Sequence, residues 1–228
     1  MSAIPNHVAV IPNGNRRKSR ALGMSLDLAY VRGAHRALRT SRWAKDAGVR
    51  HVSFFGLSVE NFANRPESQI DALMKGAIRF LDLAGTIGRV HAFGDIDKFK
   101  GEKKYEPLYE RLRLLNGTQH EQEQFTMHVG TLYSGKPEHE LGPLMAALRS
   151  RGFADVCQDI PRYLMSGGVP NVDLLIRTGG EHRTSGFLPF QSAYAELYFT
   201  NVLWSDFSQD EFNKALEWFA QQPRNFGK

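Results

Sequence analysis

Residues 7–20 read HVAVIPNGNRRKSR. His7 to Ile11 form a short apolar run, as in a strand buried on both faces of a parallel sheet. The run stops at Pro12, and a glycine-containing turn follows at once. Behind the turn stand Arg16, Arg17, Lys18 and Arg20. In an α/β sheet, ligands sit beyond the carboxyl ends of the strands, so this turn reads as an anion site. Its leading residue is Asn13, which is neutral, although a carboxylate would suit a metal better.

The same pattern repeats outward from this segment. HVSFFGL (51–57), RVHAFG (89–94), FTMHVGTLY (125–133), VDLLI (172–176) and ELYFT (196–200) all read as strands. Between them lie helical patterns. One spans about 28–47 and is closed by Gly48. Another places Ile70, Leu73, Met74, Ala77, Phe80 and Leu81 on one face after Pro66. A charged helical segment surrounds Tyr105–Leu115. Leu141, Leu144, Met145 and Leu148 mark a further helix, and Phe212, Ala215, Leu216 and Phe219 the last. Alternating strands and helices predict an α/β fold: a single domain over 1–228, with a central, mostly parallel sheet of about six strands flanked by helices and covered on both faces. Three turns, PNGN, SVENFANRP and RTGGEHR, then follow strand ends and converge on one mouth. GEKKYEP and NGTQHEQEQ read as exposed loops.

Composition narrows the class. The chain has 228 residues, 42% hydrophobic and 23% charged, enough for one buried core. No apolar run approaches the roughly 18–20 residues of a membrane span, and the N-terminus has no secretory pattern. No stable membrane association is expected. Cys157 is the lone cysteine, which excludes an internal disulfide and fits a reducing, cytoplasmic setting. It carries no assigned function. There is no CxxC or HExxH metal motif. His7, His35, His51, His91 and His128 read as structural. A net charge of +5 and a pI of 9.4 favour anionic partners. The cations cluster beside glycine turns rather than in one stripe. That distribution suits a phosphate pocket better than a nucleic-acid groove, so no nucleic-acid partner is expected.

The turns supply matching chemistry. Gly14 allows close backbone approach, and Asn15 can donate through its amide. Arg17 and Arg65 are planar forks suited to phosphate oxygens. Arg177 and Arg183 bracket a Gly-Gly turn, and Ser185 adds a hydroxyl. Four arginines with backbone N–H groups are enough to hold two diphosphates.

The blocks HVAVIPNGN, FFGLSVENFANRP and VDLLIRTGGEHRTSGFLPFQSAYAELYFTNVLWSDF are similar to those of the cis-prenyltransferases, the family of undecaprenyl diphosphate synthase. The resemblance spans nearly the whole chain. It implies a homodimer that joins an allylic diphosphate to isopentenyl diphosphate with Mg2+. It implies that Gly14, Asn15, Arg17 and Arg65, with the added Arg16, hold the allylic diphosphate. Arg177, Arg183 and Ser185 then hold the second. Ser58, Glu60 and Asn61 sit beside the reacting carbons, and Leu57 and Phe62 contact substrate. Glu196 matches a metal-associated carboxylate, and His182 a metal-proximal histidine from the neighbouring subunit. Phe54, Phe55, Phe62 and Phe80 are core residues of which one or two line the prenyl pocket.

The departures from the pattern are chemical. The family has Asp where this chain has Asn13, an arginine at Leu26 and a histidine at Tyr30. Its loop tryptophan is Phe62, and the asparagine after Ser185 is Gly186. Asn13 brings no charge to a metal, and Arg16 and Lys18 are placed to compensate at the leaving diphosphate. Keeping the arginine cage while losing the Asp, Arg and His implies that ionisation survives and the second substrate has changed. The expectation is an irregular head-to-middle coupling of two dimethylallyl diphosphates, with Asn13 and Tyr30 among the catalytic residues. The product would be lavandulyl or cyclolavandulyl diphosphate of two, at most three, isoprene units. The alternatives are a short-chain head-to-tail synthase and a non-catalytic prenyltransferase subunit.

Overall fold

The computed structural model describes residues 3–117 and 125–223. Six strands form one sheet: β1 (His7–Ile11), β2 (His51–Ser58), β3 (Arg89–Phe93), β4 (Thr126–Tyr133), β5 (Leu174–Arg177) and β6 (Glu196–Phe199). Their order is β3-β4-β2-β1-β5-β6, and every pairing is parallel. All six strands fall where the apolar runs place them. The α/β expectation holds, and the sheet is parallel throughout rather than mostly so.

The helices are α1 (Asn15–Leu22), α2 (Leu26–Asp46), α3 (Val59–Asn64), α4 (Glu67–Ala84), α5 (Glu106–Gly117), α6 (Pro137–Glu140), α7 (Gly142–Arg151), α8 (Phe153–Val156) and α9 (Gln209–Ala220). One sheet face carries the larger core. Val8, Val10, Val52 and Met127 meet Leu38 of α2, Phe80 of α4, Leu112 of α5 and Phe212 of α9 there. The other face is covered as well. Val169 and Val172 from the segment before β5, with Phe187 and Leu188 from the irregular segment between β5 and β6, cover Ala9, Ile11, Phe93 and Leu175. Long helices therefore lie on one side and looped segments on the other.

Two segments with the sequence character of turns are helices. The residues after Gly14 form α1, and the SVENFAN segment is largely α3, capped by Ser58, whose Oγ accepts from the Asn61 N–H at 3.0 Å. GEKKYEP is mostly exposed before it enters α5. Most of NGTQHEQEQ, residues 118–124, lies outside the described residues.

Strand order locates the site. From β1 the chain moves to β2 on one side, whereas β5 adds on the other. The loops leaving β1 and β5 therefore diverge, and such a crevice is where open α/β sheets bind ligands. A backbone clasp fixes its floor. The Asn13 N–H donates to Thr178 Oγ1 at 2.9 Å, and the Thr178 hydroxyl donates to the Asn13 carbonyl at 2.9 Å.

Candidate active site

A cavity of about 1030 Å³ opens at these strand ends. Its mouth is lined by Asn13, Gly14, Asn15, Arg16, Arg17 and Arg20 after β1, by Ser58, Glu60, Asn61 and Arg65 after β2, and by Arg177, Arg183 and Ser185 after β5. The three turns converge as their sequence positions imply.

On the β1 side, the feature is a helix start. Gly14 caps α1 with φ +120°, and an added Cβ would lie 2.8 Å from Leu203 Cδ2. Glycine is thus required by backbone and packing, besides any approach of a ligand. No side chain caps α1, and its first turn holds no acid. Instead it begins Asn15, Arg16, Arg17. Free N–H groups and a positive helix end favour an anion, and cations placed there are unfavourable without one. Arg17 is pinned across the crevice, with Nη2 donating to the Gly179 carbonyl at 2.6 Å. Asn15 packs on α2, where an added Cβ on Gly33 would lie 2.8 Å from its Nδ2, and its Oδ1 is buried without a hydrogen bond. Arg65 Nη1 donates to the Tyr30 hydroxyl at 3.2 Å, and its Nε is buried without a partner. Burial, with Arg16 nearby, lowers the Arg65 guanidinium from its ordinary value.

Acceptors face the cations on the β5 side. Arg177 Nη1 donates to the Arg183 carbonyl at 2.7 Å and to Ser185 Oγ at 2.8 Å, while Nη2 donates to Glu181 Oε2 at 2.5 Å. Arg183 Nη2 donates to the same Glu181 oxygen. Burial opposes ionisation of Glu181, yet Asn13, Arg177 and Arg183 hold its carboxyl below the ordinary range. Asn13 Nδ2 is buried and makes no hydrogen bond of good geometry, although it lies near enough to help Glu181. Ser185 sits at φ +52°, a left-handed strain of the kind found at ligand sites. Gly135 abuts the next turn: an added Cβ would lie 1.9 Å from the Gly186 carbonyl. Beside it, the Ser134 hydroxyl donates to Glu60 Oε1 at 2.8 Å, and Lys136 Nζ lies 3.5 Å from that oxygen. Burial opposes ionisation of Glu60 too, but its own N–H, Ser134, Ser58 and Lys136 lower its pKa.

Below the mouth the cavity is apolar. Small residues Gly33, Ala34, Ala37, Gly76 and Ala77 open a path between α2 and α4 toward Leu108 and Leu112. Phe54, Phe55 and Phe80 line it, so three of the four phenylalanines reach the pocket. Phe54 sits edge-on to Phe80 and Trp204, with centroids 5.9 and 6.2 Å away, and forms wall rather than plug. The volume stands at the top of the range for small-molecule sites. Size alone therefore does not hold the product to two or three isoprene units.

Several expected residues lie elsewhere. Leu57 is buried in the helix-side core, because the register of β2 shifts around Gly56 and turns its side chain to that face. Phe62 packs on Phe99 and Tyr105, with centroids 5.8 and 5.6 Å away, and does not line the cavity. Lys18 is paired with Asp206 at 2.8 Å rather than aimed at a diphosphate. Leu26 opens α2 outside the lining. His182 is exposed and stacks on Phe199 at 5.0 Å, and Glu196 lies on edge strand β6, so neither lines the cavity of one chain.

These positions decide the fit of a metal. Mg2+ takes oxygen ligands, usually one or two carboxylates with substrate phosphates. Among the described residues lining the cavity, Glu60 and Glu181 are the only carboxylates, and both face cations. No group of three acidic, histidine or cysteine residues able to hold a metal occurs among the described residues. Within one chain, Asn13, His182 and Glu196 do not assemble a Mg2+ site. Sequence reasoning missed Glu181, Ser134, Lys136 and Thr178. Glu181 had a signal: a carboxylate four residues after one arginine and two before another.

Comparison with known proteins agrees with this geometry. Residues 11–227 match the prenyltransferase family described as "Putative undecaprenyl diphosphate synthase". A ditrans,polycis-undecaprenyl-diphosphate synthase ((2E,6E)-farnesyl-diphosphate specific) of Pectobacterium atrosepticum is 35% identical, covering 98% of this chain and 90% of that one. An isoprenyl transferase of Aquifex pyrophilus is 33% identical, covering 99% and 96%. Among solved structures, lavandulyl diphosphate synthase from Lavandula x intermedia, in complex with dimethylallyl diphosphate, superposes with a TM-score of 0.82. It is 25% identical and the match covers 99% of each chain. No described helix is long and apolar enough to cross a membrane.

Proposed function

The chain belongs to the undecaprenyl diphosphate synthase family and is a prenyl-group transferase; from that premise we propose that it couples two dimethylallyl diphosphates head to middle. The observation that carries this reading is the pair Asn13 and Tyr30. Both line the cavity at positions where the family pattern has Asp and His, while the arginines around them are intact. The likeness to a lavandulyl diphosphate synthase supports it.

The donor diphosphate lies at the start of α1, held by the free N–H groups with Arg16, Arg17 and Arg65. The acceptor diphosphate lies against Arg177, Arg183 and Ser185. Breaking the donor C1–O bond sends its electron pair to the diphosphate, where pre-placed cations stabilise the developing charge. C2 of the acceptor alkene then attacks donor C1 and leaves a tertiary cation on acceptor C3. A methyl proton departs to the released diphosphate, and its C–H pair forms the new alkene of lavandulyl diphosphate. For the cyclised product, protonation of donor C2 puts a tertiary cation on donor C3, the new alkene attacks it to close the ring, and the proton on acceptor C2 then returns to the diphosphate as its C–H pair forms the ring alkene. Mg2+ enters this reading only on the substrates' phosphates, because the lining does not build a site for it. The protein works as a homodimer, joined through the β6 side, where Phe190, Tyr194 and Leu197 are 50%, 81% and 39% exposed.

One observation favours a second reading. The apolar path to Leu108 and Leu112 has room for a longer chain, as head-to-tail synthesis with isopentenyl diphosphate would need. Dimethylallyl diphosphate supplied alone separates the two. Head-to-middle coupling yields a branched or cyclic C10 alcohol after phosphatase treatment. Turnover only with isopentenyl diphosphate, giving a linear alcohol, refutes it.

A further inference from the structure

The two cationic groups of the cavity are not equivalent. Arg16, Arg17, Arg20 and Arg65 make no ion pair among the described residues. Arg177 and Arg183 share one carboxylate, that of Glu181. A carboxylate oxygen between two guanidiniums makes the charge-assisted contacts that a diphosphate oxygen would make there. The Arg177 side chain is 6% exposed, so without Glu181 its charge would be buried and uncompensated.

We propose that Glu181 is an internal competitor for the second diphosphate, holding Arg177 and Arg183 in the free protein and leaving them when the acceptor substrate enters. The proposal rests on the two-diphosphate reading above. Glu181 is placed to move. Its side chain is 32% exposed, against 6% for Arg177, and it follows Gly179 and Gly180, both at positive φ. A side-chain rotation toward solvent frees both guanidiniums without moving β5. Retaining the carboxylate beside a bound diphosphate would set like charges together, so binding and release of Glu181 are coupled. The donor subsite has no such competitor and fills first. The acceptor subsite gives up affinity in return for stability when empty, and it lets its diphosphate go more readily.

Calorimetry with inorganic pyrophosphate tests this, using wild type, Glu181→Gln and Glu181→Asp. Glutamine keeps the size and removes the charge, while aspartate is too short to bridge both arginines. Circular dichroism first establishes which variants are folded. Two pyrophosphates per chain are expected in the wild type, one tight and one weak. The weak site should tighten about tenfold in Glu181→Gln and by less in Glu181→Asp, with the tight site unchanged. Unchanged or weaker binding at that site in a folded variant overturns the proposal, since Glu181 would then only position Arg177. Fewer than two pyrophosphates bound by wild type and both variants would overturn the two-diphosphate reading, and the proposal with it.

Discussion

The β1 side of the cavity and its β5 side both hold arginines, but they differ in what those arginines face. After β1, a helix starts with two arginines, no acid and no side-chain cap. After β5, the guanidiniums are met by Glu181, Ser185 and a carbonyl. Among the described residues no carboxylate pairs with the arginines of the first side, whereas the second carries its own in Glu181. A donor whose diphosphate must leave needs fixed positive charge ready before reaction. An acceptor whose diphosphate stays attached needs only to be positioned. On the proposed function, the difference between the two sides follows the difference between donor and acceptor.

The largest expected effect breaks the β1 side. Arg17→Ala removes a cation and the tie to Gly179, and kcat should fall by about 10²–10³. Steady-state kinetics with dimethylallyl diphosphate checks it, and a loss under fivefold would remove the donor role of this helix start.

The next effect sets the pH range in which the two sides can be compared. At the other end of the sheet, His91 Nδ1 lies 2.9 Å from His128 Nδ1, and His128 Nε2 lies 3.2 Å from His51 Nδ1. The neighbouring His7 has its Nε2 2.7 Å from Ser53 Oγ. Burial lowers His7 and His91 to about 4, and His128 well below its ordinary value. Neutral in the fold and protonated when unfolded, they contribute stability above pH 6.5 that is lost as pH falls toward 4. His7 and His91 should each cost on the order of 3 kcal/mol over that window. Urea unfolding at pH 7.5 and at pH 5 checks the sign, and a flat profile would contradict it.

Smaller effects sharpen the comparison. Tyr30→Phe deletes the acceptor of the Arg65 Nη1 hydrogen bond, worth about 0.5–1.5 kcal/mol, so the donor KM should rise roughly three- to tenfold while pyrophosphate affinity on the β5 side stays constant. Asn13→Asp adds a carboxylate beside the donor subsite. It should make turnover more sensitive to EDTA, by about a factor of a few, since one carboxylate supplies only part of a Mg2+ ligand set. An EDTA response equal to wild type would mean that Asn13 is not near the leaving group.

Much of this was legible in the sequence, for reasons that differ by element. The central strands β1 and β5 were visible because a parallel sheet buries both faces there and leaves an apolar run, whereas the edge strand β6 is partly exposed and showed only as a short aromatic-rich segment. α1 was not visible as a helix. Its sequence is polar, no side chain caps it, and Ser19 is its one buried residue, so it shows no apolar stripe. α3 has six residues, too few to show a period, although Ser58 carried a capping signal. The site's arginines were legible as types beside turns. Leu57, which the resemblance sets against substrate, turns into the helix-side core because strand alternation fails at the Gly56 irregularity, a shift no local pattern shows. Ser134 and Lys136 were missed because the parallel pairing of β2 with β4 brings them to Glu60 from 74 and 76 positions away, a proximity that no local pattern records.

The coupling itself can be read bond by bond. Dimethylallyl diphosphate carrying ¹³C at both C1 and C2 is supplied alone, and the dephosphorylated product is examined by ¹³C NMR. Head-to-middle coupling joins donor C1 to acceptor C2, so donor C1 should show one-bond coupling to two labelled neighbours. If label enters product only when unlabelled isopentenyl diphosphate is added, and labelled C1 then couples to labelled C2 alone, the enzyme is a head-to-tail synthase and the account of Asn13 and Tyr30 is wrong.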